Sequence, residues 1–220
     1  MFRKTKVVIA SAILAASSLA NAEGLPGMRG ADHIGITVPY LKQAVDFLVN
    51  VIGCEAFYKL GPSKADNDWM EVHLNVNPRA EIPTMQLVRC GHGTNFEVFQ
   101  WTSPDQNAKP PRNIDAGGHH IAFYVDDTNK AVAHLKKHNV KMFGDPTVMK
   151  EGPSAGEWWM YFLAPWGVQM ELVTYQGKAY EKDFKSKLWD PTAPGKINST
   201  ASLREGAAFQ MKANPARFQA

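Results

Sequence analysis

Two stretches of this chain echo each other, and the echo limits the folds open to it. The first is Gly30-Ala31-Asp32-His33-Ile34-Gly35-Ile36-Thr37-Val38, the second Gly117-Gly118-His119-His120-Ile121-Ala122-Phe123-Tyr124-Val125. Both open on glycine, carry a histidine three residues on and close on valine. Laid side by side without a gap, His33 meets His120, Ile34 meets Ile121 and Val38 meets Val125. Successive residues of a strand point to opposite faces. Ile121, Phe123 and Val125 therefore share one face, fit for a core, while His120, Ala122 and Tyr124 share the other.

The correspondence continues downstream. Leu41, Val45 and Leu48 follow the first echo at helical spacing, and Ala131, Val132 and Leu135 follow the second. Each half then reaches a strand with a central glutamate, Asn95-Phe96-Glu97-Val98-Phe99-Gln100-Trp101 and Gln169-Met170-Glu171-Leu172-Val173-Thr174-Tyr175. An internal duplication thus sets two histidines and two glutamates at equivalent places. In the first half, Gly53 is a helix stop, residues 55–60 read as a strand, and 69–76 and 85–90 as two more around the turn Asn77-Pro78-Arg79. The second half reads as strand 119–125, helix 128–138, a strand near 140–149, then strands 157–163 and 168–175 joined by the hairpin Ala164-Pro165-Trp166-Gly167. Residues 102–116, rich in Pro, Asn and Asp, read as a linker. His119 has the wrong parity to join His120, and His73, His92, His134 and His138 read as solvated or structural.

Arg3, Lys4 and Lys6 precede an uncharged, mostly apolar run ending in the small-x-small pattern Ala20-Asn21-Ala22, so residues 1–22 read as a secretory signal peptide. Its removal takes away three positive charges and no negative ones, bringing the net charge from +3 to zero. A neutral mature chain offers no electrostatic footprint for nucleic acid, and no other stretch is apolar and long enough to span a bilayer. The expected location is the periplasm or the exterior. There the two cysteines, Cys54 and Cys90, either form a disulfide or stay as buried thiols; the absence of a Cys-x-x-Cys spacing disfavours a thiolate zinc or thioredoxin-type site. Residues 177–220 lie outside the repeat. Ser202 and Glu205 have capping-box spacing before a short helix around 203–212. That tail has three open roles: covering a pocket, wrapping a second copy in a homodimer, or staying mobile.

Paired units with a histidine on the first strand, a glutamate on the last and a Pro-x-Gly hairpin before the second glutamate resemble the vicinal oxygen chelate (VOC) superfamily, which includes glyoxalase I, extradiol dioxygenases and bleomycin-binding proteins. The resemblance covers residues 30–176, as modules 30–102 and 117–176. It implies an α+β fold in which two tandem βαβββ modules form a cupped mixed β-sheet around one metal and substrate site. Carried over position by position, His33, Glu97, His120 and Glu171 are the expected ligands of one divalent transition metal (Zn, Ni, Co, Mn or Fe). Four protein ligands leave two positions of a six-coordinate ion for a vicinal-oxygen substrate. With Glu97 and Glu171 as proton carriers, the expected chemistry is metal-assisted enolisation by a glyoxalase-like lyase, isomerase or epimerase acting on a small molecule.

Two other readings stay open. His33, His120 and Glu171 would also serve an extradiol-type Fe(II) dioxygenase, although Glu97 as a fourth ligand takes a position that dioxygen needs. A metal-free drug-binding protein would line the cup with aromatics, which this chain has in quantity. Trp101, Tyr124 and Tyr175 share the parity of the candidate ligands and are the expected substrate contacts.

Overall fold

The computed structural model describes Leu25, Pro26 and residues 30–175; the expected signal peptide, the tail beyond Tyr175 and its short helix lie outside the described residues. The chain divides into two units between Ala31 and Asp32, and the fold below is that of the second.

Strand β1 (His33–Thr37) runs into helix α1 (Leu41–Phe47), which buries Leu41, Ala44 and Phe47 and widens into a π-helical turn over Leu48–Ile52. Tyr40 gives α1 no side-chain cap, and Gln100 of the last strand of this half fills the role, its Oε1 accepting from the Leu41 amide at 2.9 Å. Gly53 ends the turn in the left-handed region (φ 89°), as its place in the sequence predicts. Strands β2 (Glu55–Leu60), β3 (Glu81–Arg89) and β4 (Asn95–Thr102) follow, and the sheet order is β1-β4-β3-β2, with β1 parallel to β4. The second half repeats this as β5 (His120–Tyr124), helix α3 (Thr128–Lys137), β6 (Met142–Val148), β7 (Glu157–Leu163) and β8 (Gln169–Tyr175), in the order β5-β8-β7-β6. Asp127 caps α3, accepting from the Lys130 amide at 3.0 Å, while Lys136 and Lys137 occupy its negative end. The α+β fold with tandem modules is as the resemblance implies, built as two four-stranded mixed sheets, one per module.

One element differs from expectation. Residues 69–76, read as a strand, form a short helix α2 (Trp69–Leu74) between β2 and β3. Met70, Val72, Leu74 and Val76 alternate as in a strand, yet only Met70 is buried; Val72 and Leu74 face water. With no core face for the alternation to serve, the ends decide: Asn67 Oδ1 accepts from the Trp69 amide at 3.0 Å, and Asn75 takes the left-handed conformation (φ 53°) that closes the helix.

The helices and one face of each sheet enclose a single core. Ile36, Leu48, Val88 and Val98 of the first module join Ile121, Leu135, Phe162 and Met170 of the second. Phe47 meets Trp166 edge-on at 5.8 Å, Phe96 meets Phe123 at 6.2 Å, and His134 Nε2 donates to the Val51 carbonyl at 2.8 Å, so the modules are locked by packing and by a bond from α3. Cys54 and Cys90 are joined as a disulfide between the start of β2 and the end of β3, resolving the alternative left open by the sequence. Among the described residues no helix is long and apolar enough to cross a membrane.

Candidate functional site

Register places the histidines and glutamates. In the first module His33 lies opposite Asn95 and Gly35 opposite Glu97, so His33 and Glu97 are diagonal neighbours on one face of the β1–β4 pair, with Nε2 and Oε2 3.3 Å apart. In the second, His120 lies opposite Gln169 and Ala122 opposite Glu171, and the same diagonal brings His120 Nε2 to 3.1 Å from Glu171 Oε2. The duplication therefore extends from sequence to atomic contact: each half delivers one imidazole–carboxylate pair.

The expected substrate residues continue these faces. Beyond His120 and Ala122 comes Tyr124, stacked on Tyr175 at 6.1 Å; beyond His33 and Gly35 comes Thr37, with Trp101 on the neighbouring strand 5.6 Å from Phe99. The residues between are small, Gly35 and Ala122, and the Phe99 ring lies over Gly35, its Cε2 3.7 Å from where a β-carbon would stand. Strands rise about 3.3 Å per residue, so the four steps from His120 to Tyr124 cover about 13 Å.

Each imidazole is also held from behind. His33 Nδ1 lies 2.8 Å from Asp32 Oδ2, and His120 Nδ1 lies 3.2 Å from Asn113 Oδ1. The hydrogen bond that the ring donates to Asp32, reinforced by the charge of Glu97, raises the His33 pKa above its ordinary value of 6.5. The two glutamates sit differently. The Glu171 side chain is 11% exposed against 25% for Glu97. Burial pushes the Glu171 carboxyl above its ordinary value; His120 opposes the rise and the charge of Glu157 adds to it. Tyr161, directly across from Glu171 on β7, sets its ring edge-on to His120 at 5.1 Å. Burial raises its hydroxyl pKa, helped by Glu171 and then Glu157. The equivalent position across from Glu97 is Leu87.

Asp32, Asn113 and Tyr161 were not among the sequence-derived site residues. Asp32 was visible as the carboxylate next to His33, and Tyr161 as a strand aromatic of unassigned role; nothing local marks Asn113, which arrives from the linker.

The donor chemistry fits a divalent ion. When Nδ1 of a neutral imidazole carries the hydrogen, Nε2 is a bare lone pair, and a lone pair facing a carboxylate oxygen across about 3 Å requires a proton or a cation between them. The geometry supplies two such two-donor pairs. Among the described residues no group of three or more His, Cys, Asp or Glu side chains gathers as one cluster.

Residues 32–162 match the family model for the Glyoxalase/Bleomycin resistance protein/Dioxygenase superfamily. The chain is 40% identical over 170 residues to a 2-epi-5-epi-valiolone epimerase from Actinomyces sp., an alignment that covers 76% of this chain and 92% of that one. A shorter match, 36% over 77 residues, covers 35% of this chain and 55% of the uncharacterized protein YaeR of Escherichia coli (strain K12). Among solved structures, a glyoxalase family protein from Bacillus cereus superposes with a TM-score of 0.54 at 18% identity, over 71% of this chain and 99% of that one, which shows a shared fold. By the family match, by the long alignment to the Actinomyces epimerase and by its tandem modules, this chain belongs to the Glyoxalase/Bleomycin resistance protein/Dioxygenase superfamily, the vicinal oxygen chelate proteins.

Proposed function

We propose that this chain is an exported epimerase that inverts a carbon next to a carbonyl in a small, polyoxygenated, single-ring substrate, with a divalent ion at the paired histidines and glutamates. The observation that carries the reading is the pairing of His33 with Glu97 and of His120 with Glu171 at equivalent registers on two sheets. The 40% identity to a protein named as a 2-epi-5-epi-valiolone epimerase supports this class over the dioxygenase and drug-binding alternatives.

Inverting such a carbon needs one group to remove the proton and another to return a proton to the opposite face. Carboxylates from two separate sheets suit that division. Glu171, the more buried of the two and shifted by that burial toward its protonated form, is assigned as the donor, acting when loosened from the ion. Glu97, more open to solvent, is the acceptor. The C–H bond breaks toward Glu97, its electron pair passes into the carbonyl to give an enolate, and the new C–H bond takes the Glu171 proton; no electron is gained or lost overall. An ion held by His33, Glu97, His120 and Glu171 would supply positive charge for the developing oxyanion. Tyr124, Tyr175 and Trp101 flank the site as walls for the ring.

The test is proton NMR in heavy water on a panel of polyhydroxylated cyclic ketones, with elemental analysis of protein purified without chelator. Wild type is expected to exchange and invert the carbon together. Glu97→Gln loses both, by about 10²–10⁴-fold, whereas Glu171→Gln retains exchange and loses inversion. Oxygen uptake with a catechol and bound iron, or tight ligand binding with no exchange, would overturn the reading. Export is read separately, as a mature N-terminus at Glu23 in the exported fraction; the Cys54–Cys90 bond supports an oxidising compartment.

A further inference from the structure

The linker between the modules does more than connect them. The duplication predicts the partner of each imidazole's rear nitrogen: Asp32 precedes His33, so the residue before His120 should carry a carboxylate. That residue is His119, whose ring instead contacts the Gly117 carbonyl at 3.2 Å. The second module lacks its built-in partner, and Asn113 of the linker stands in its place, 3.2 Å from His120 Nδ1.

The turn that presents Asn113 is locked on both sides. Arg112 and Asp115 form a fork, with Nε to Oδ2 at 3.0 Å and Nη2 to Oδ1 at 2.7 Å, and the Arg112 amide donates to the same carboxylate at 2.9 Å. The Asp115 amide returns to the Arg112 carbonyl at 3.0 Å, and the Gly118 amide donates to the Asp115 carbonyl at 2.7 Å. A β-carbon at Gly118 would fall 2.0 Å from the Arg112 carbonyl oxygen, so the turn closes this tightly only on glycine. Upstream, Pro110 packs on Gly167 in the turn that leads into the Glu171 strand. One short segment therefore touches the turn before Glu171 and reaches the back of His120.

We propose that Asn113 is a positioning residue: its carbonyl oxygen holds the hydrogen of His120 on Nδ1, so that Nε2 faces Glu171 as a bare lone pair, the role Asp32 plays for His33 in the first module. An amide oxygen only accepts, which selects the tautomer, and it does so without adding a charge beside a pair that already holds a buried carboxylate. The inter-module linker thereby becomes part of the site. The inference concerns the same site as the proposed epimerase and rests on that reading only for its metal readout.

The experiment uses the full mature chain labelled with ¹⁵N-histidine. Long-range proton–nitrogen correlation of the metal-stripped protein at mildly alkaline pH reports which nitrogen of His120 carries the hydrogen. Wild type is expected to show the Nδ1–H form, Asn113→Leu a shift toward Nε2–H, and Asn113→Asp, which restores an acceptor oxygen, a return to Nδ1–H. Affinity for Co²⁺, followed by its visible absorbance, should fall by about 10–100-fold in Asn113→Leu and recover in Asn113→Asp. An unchanged tautomer in Asn113→Leu overturns the proposal, as does an equal loss in both variants, which would mark Asn113 as a packing residue. If the tautomer moves as expected while wild type takes up no Co²⁺, the positioning role stands and the metal-dependent reading fails.

Discussion

Removal of the Cys54–Cys90 bond tests what holds the outer edge of the first module. The bond closes a loop of 36 residues that contains β2, α2 and β3. Every residue of β2 is exposed, so burial contributes little to keeping that edge strand in place. The tether should therefore matter more than one in a well-buried segment. For a loop of this length the chain-entropy relation gives roughly −13 cal/mol/K in the unfolded state, or about 4 kcal/mol at 25 °C. In a domain of this size that is a loss of roughly 8–16 °C in Tm. Urea denaturation of the oxidised protein, its reduced form and the double variant Cys54→Ala/Cys90→Ala gives the difference directly; the reduced wild type separates loss of the bond from loss of the Cys54 sulfur, which is buried. The m-value should rise, because an untethered unfolded chain exposes more surface. Hydrogen exchange should quicken first in residues 55–74. A loss below about 1 kcal/mol, with β2 amides still protected, would refute the reasoning and assign the edge to its pairing with β3.

Two other outcomes follow from particular contacts. Trp101→Ala and Tyr124→Ala should each weaken substrate binding by about tenfold, some 1.4 kcal/mol, seen as a raised KM with Tm little changed; an unchanged KM in both would remove them from the substrate walls. Asp127→Ala should lower Tm at neutral pH by freeing the α3 N-terminus. The Lys130 amide and side chain hold the Asp127 pKa below its ordinary 3.8, so its contribution is present above pH 3.8 and is lost as pH falls through the folded value. Thermal melts of the two proteins should accordingly converge in strong acid, and a gap that persisted there would mean that packing at residue 127, rather than its charge, stabilises the helix.

The elements legible from sequence were those where period and punctuation agreed. Strand β7 (Glu157–Leu163) matched its expected bounds because alternation ends at a hairpin with Pro165 and Gly167, and α3 came within one residue of its expected 128–138 because the apolar residues at 131, 132 and 135 mark its inner face. Residues 69–76 failed because their alternation was not a burial pattern. The correct signal was at the ends, in Asn67-Asp68 before the segment and Asn75 after it, reinforced by Arg79, whose guanidinium donates to the Asp66 carbonyl at 3.1 Å and holds the start of α2. At the site, the histidine–glutamate pairs were legible because the repeat sets residue type and parity together. Asn113 was not, because its contact is made by a turn seven residues away in sequence. The missing carboxylate at position 119 was the one clue that something outside the strand had to replace it.

That substitution bears on how a duplicated scaffold can support an asymmetric reaction. Two identical modules would offer two equivalent glutamates, with no preference for which holds the proton at rest. Here the histidine–glutamate register is kept while its surroundings diverge. Glu171 faces Tyr161 and is buried, whereas Glu97 faces Leu87 and is more exposed. His33 is backed by an anionic carboxylate and His120 by a neutral amide. All of these differences act on the position of a proton, and all leave the backbone pairing unchanged. In the proposed reaction a donor and an acceptor would thus be distinguished by neighbours that the repeat does not constrain. Conversion of Asn113 and Tyr161 to their first-module counterparts, Asp and Leu, should make the two pairs more alike and erode the division of labour between the glutamates, so that exchange and inversion respond similarly to Glu97→Gln and Glu171→Gln.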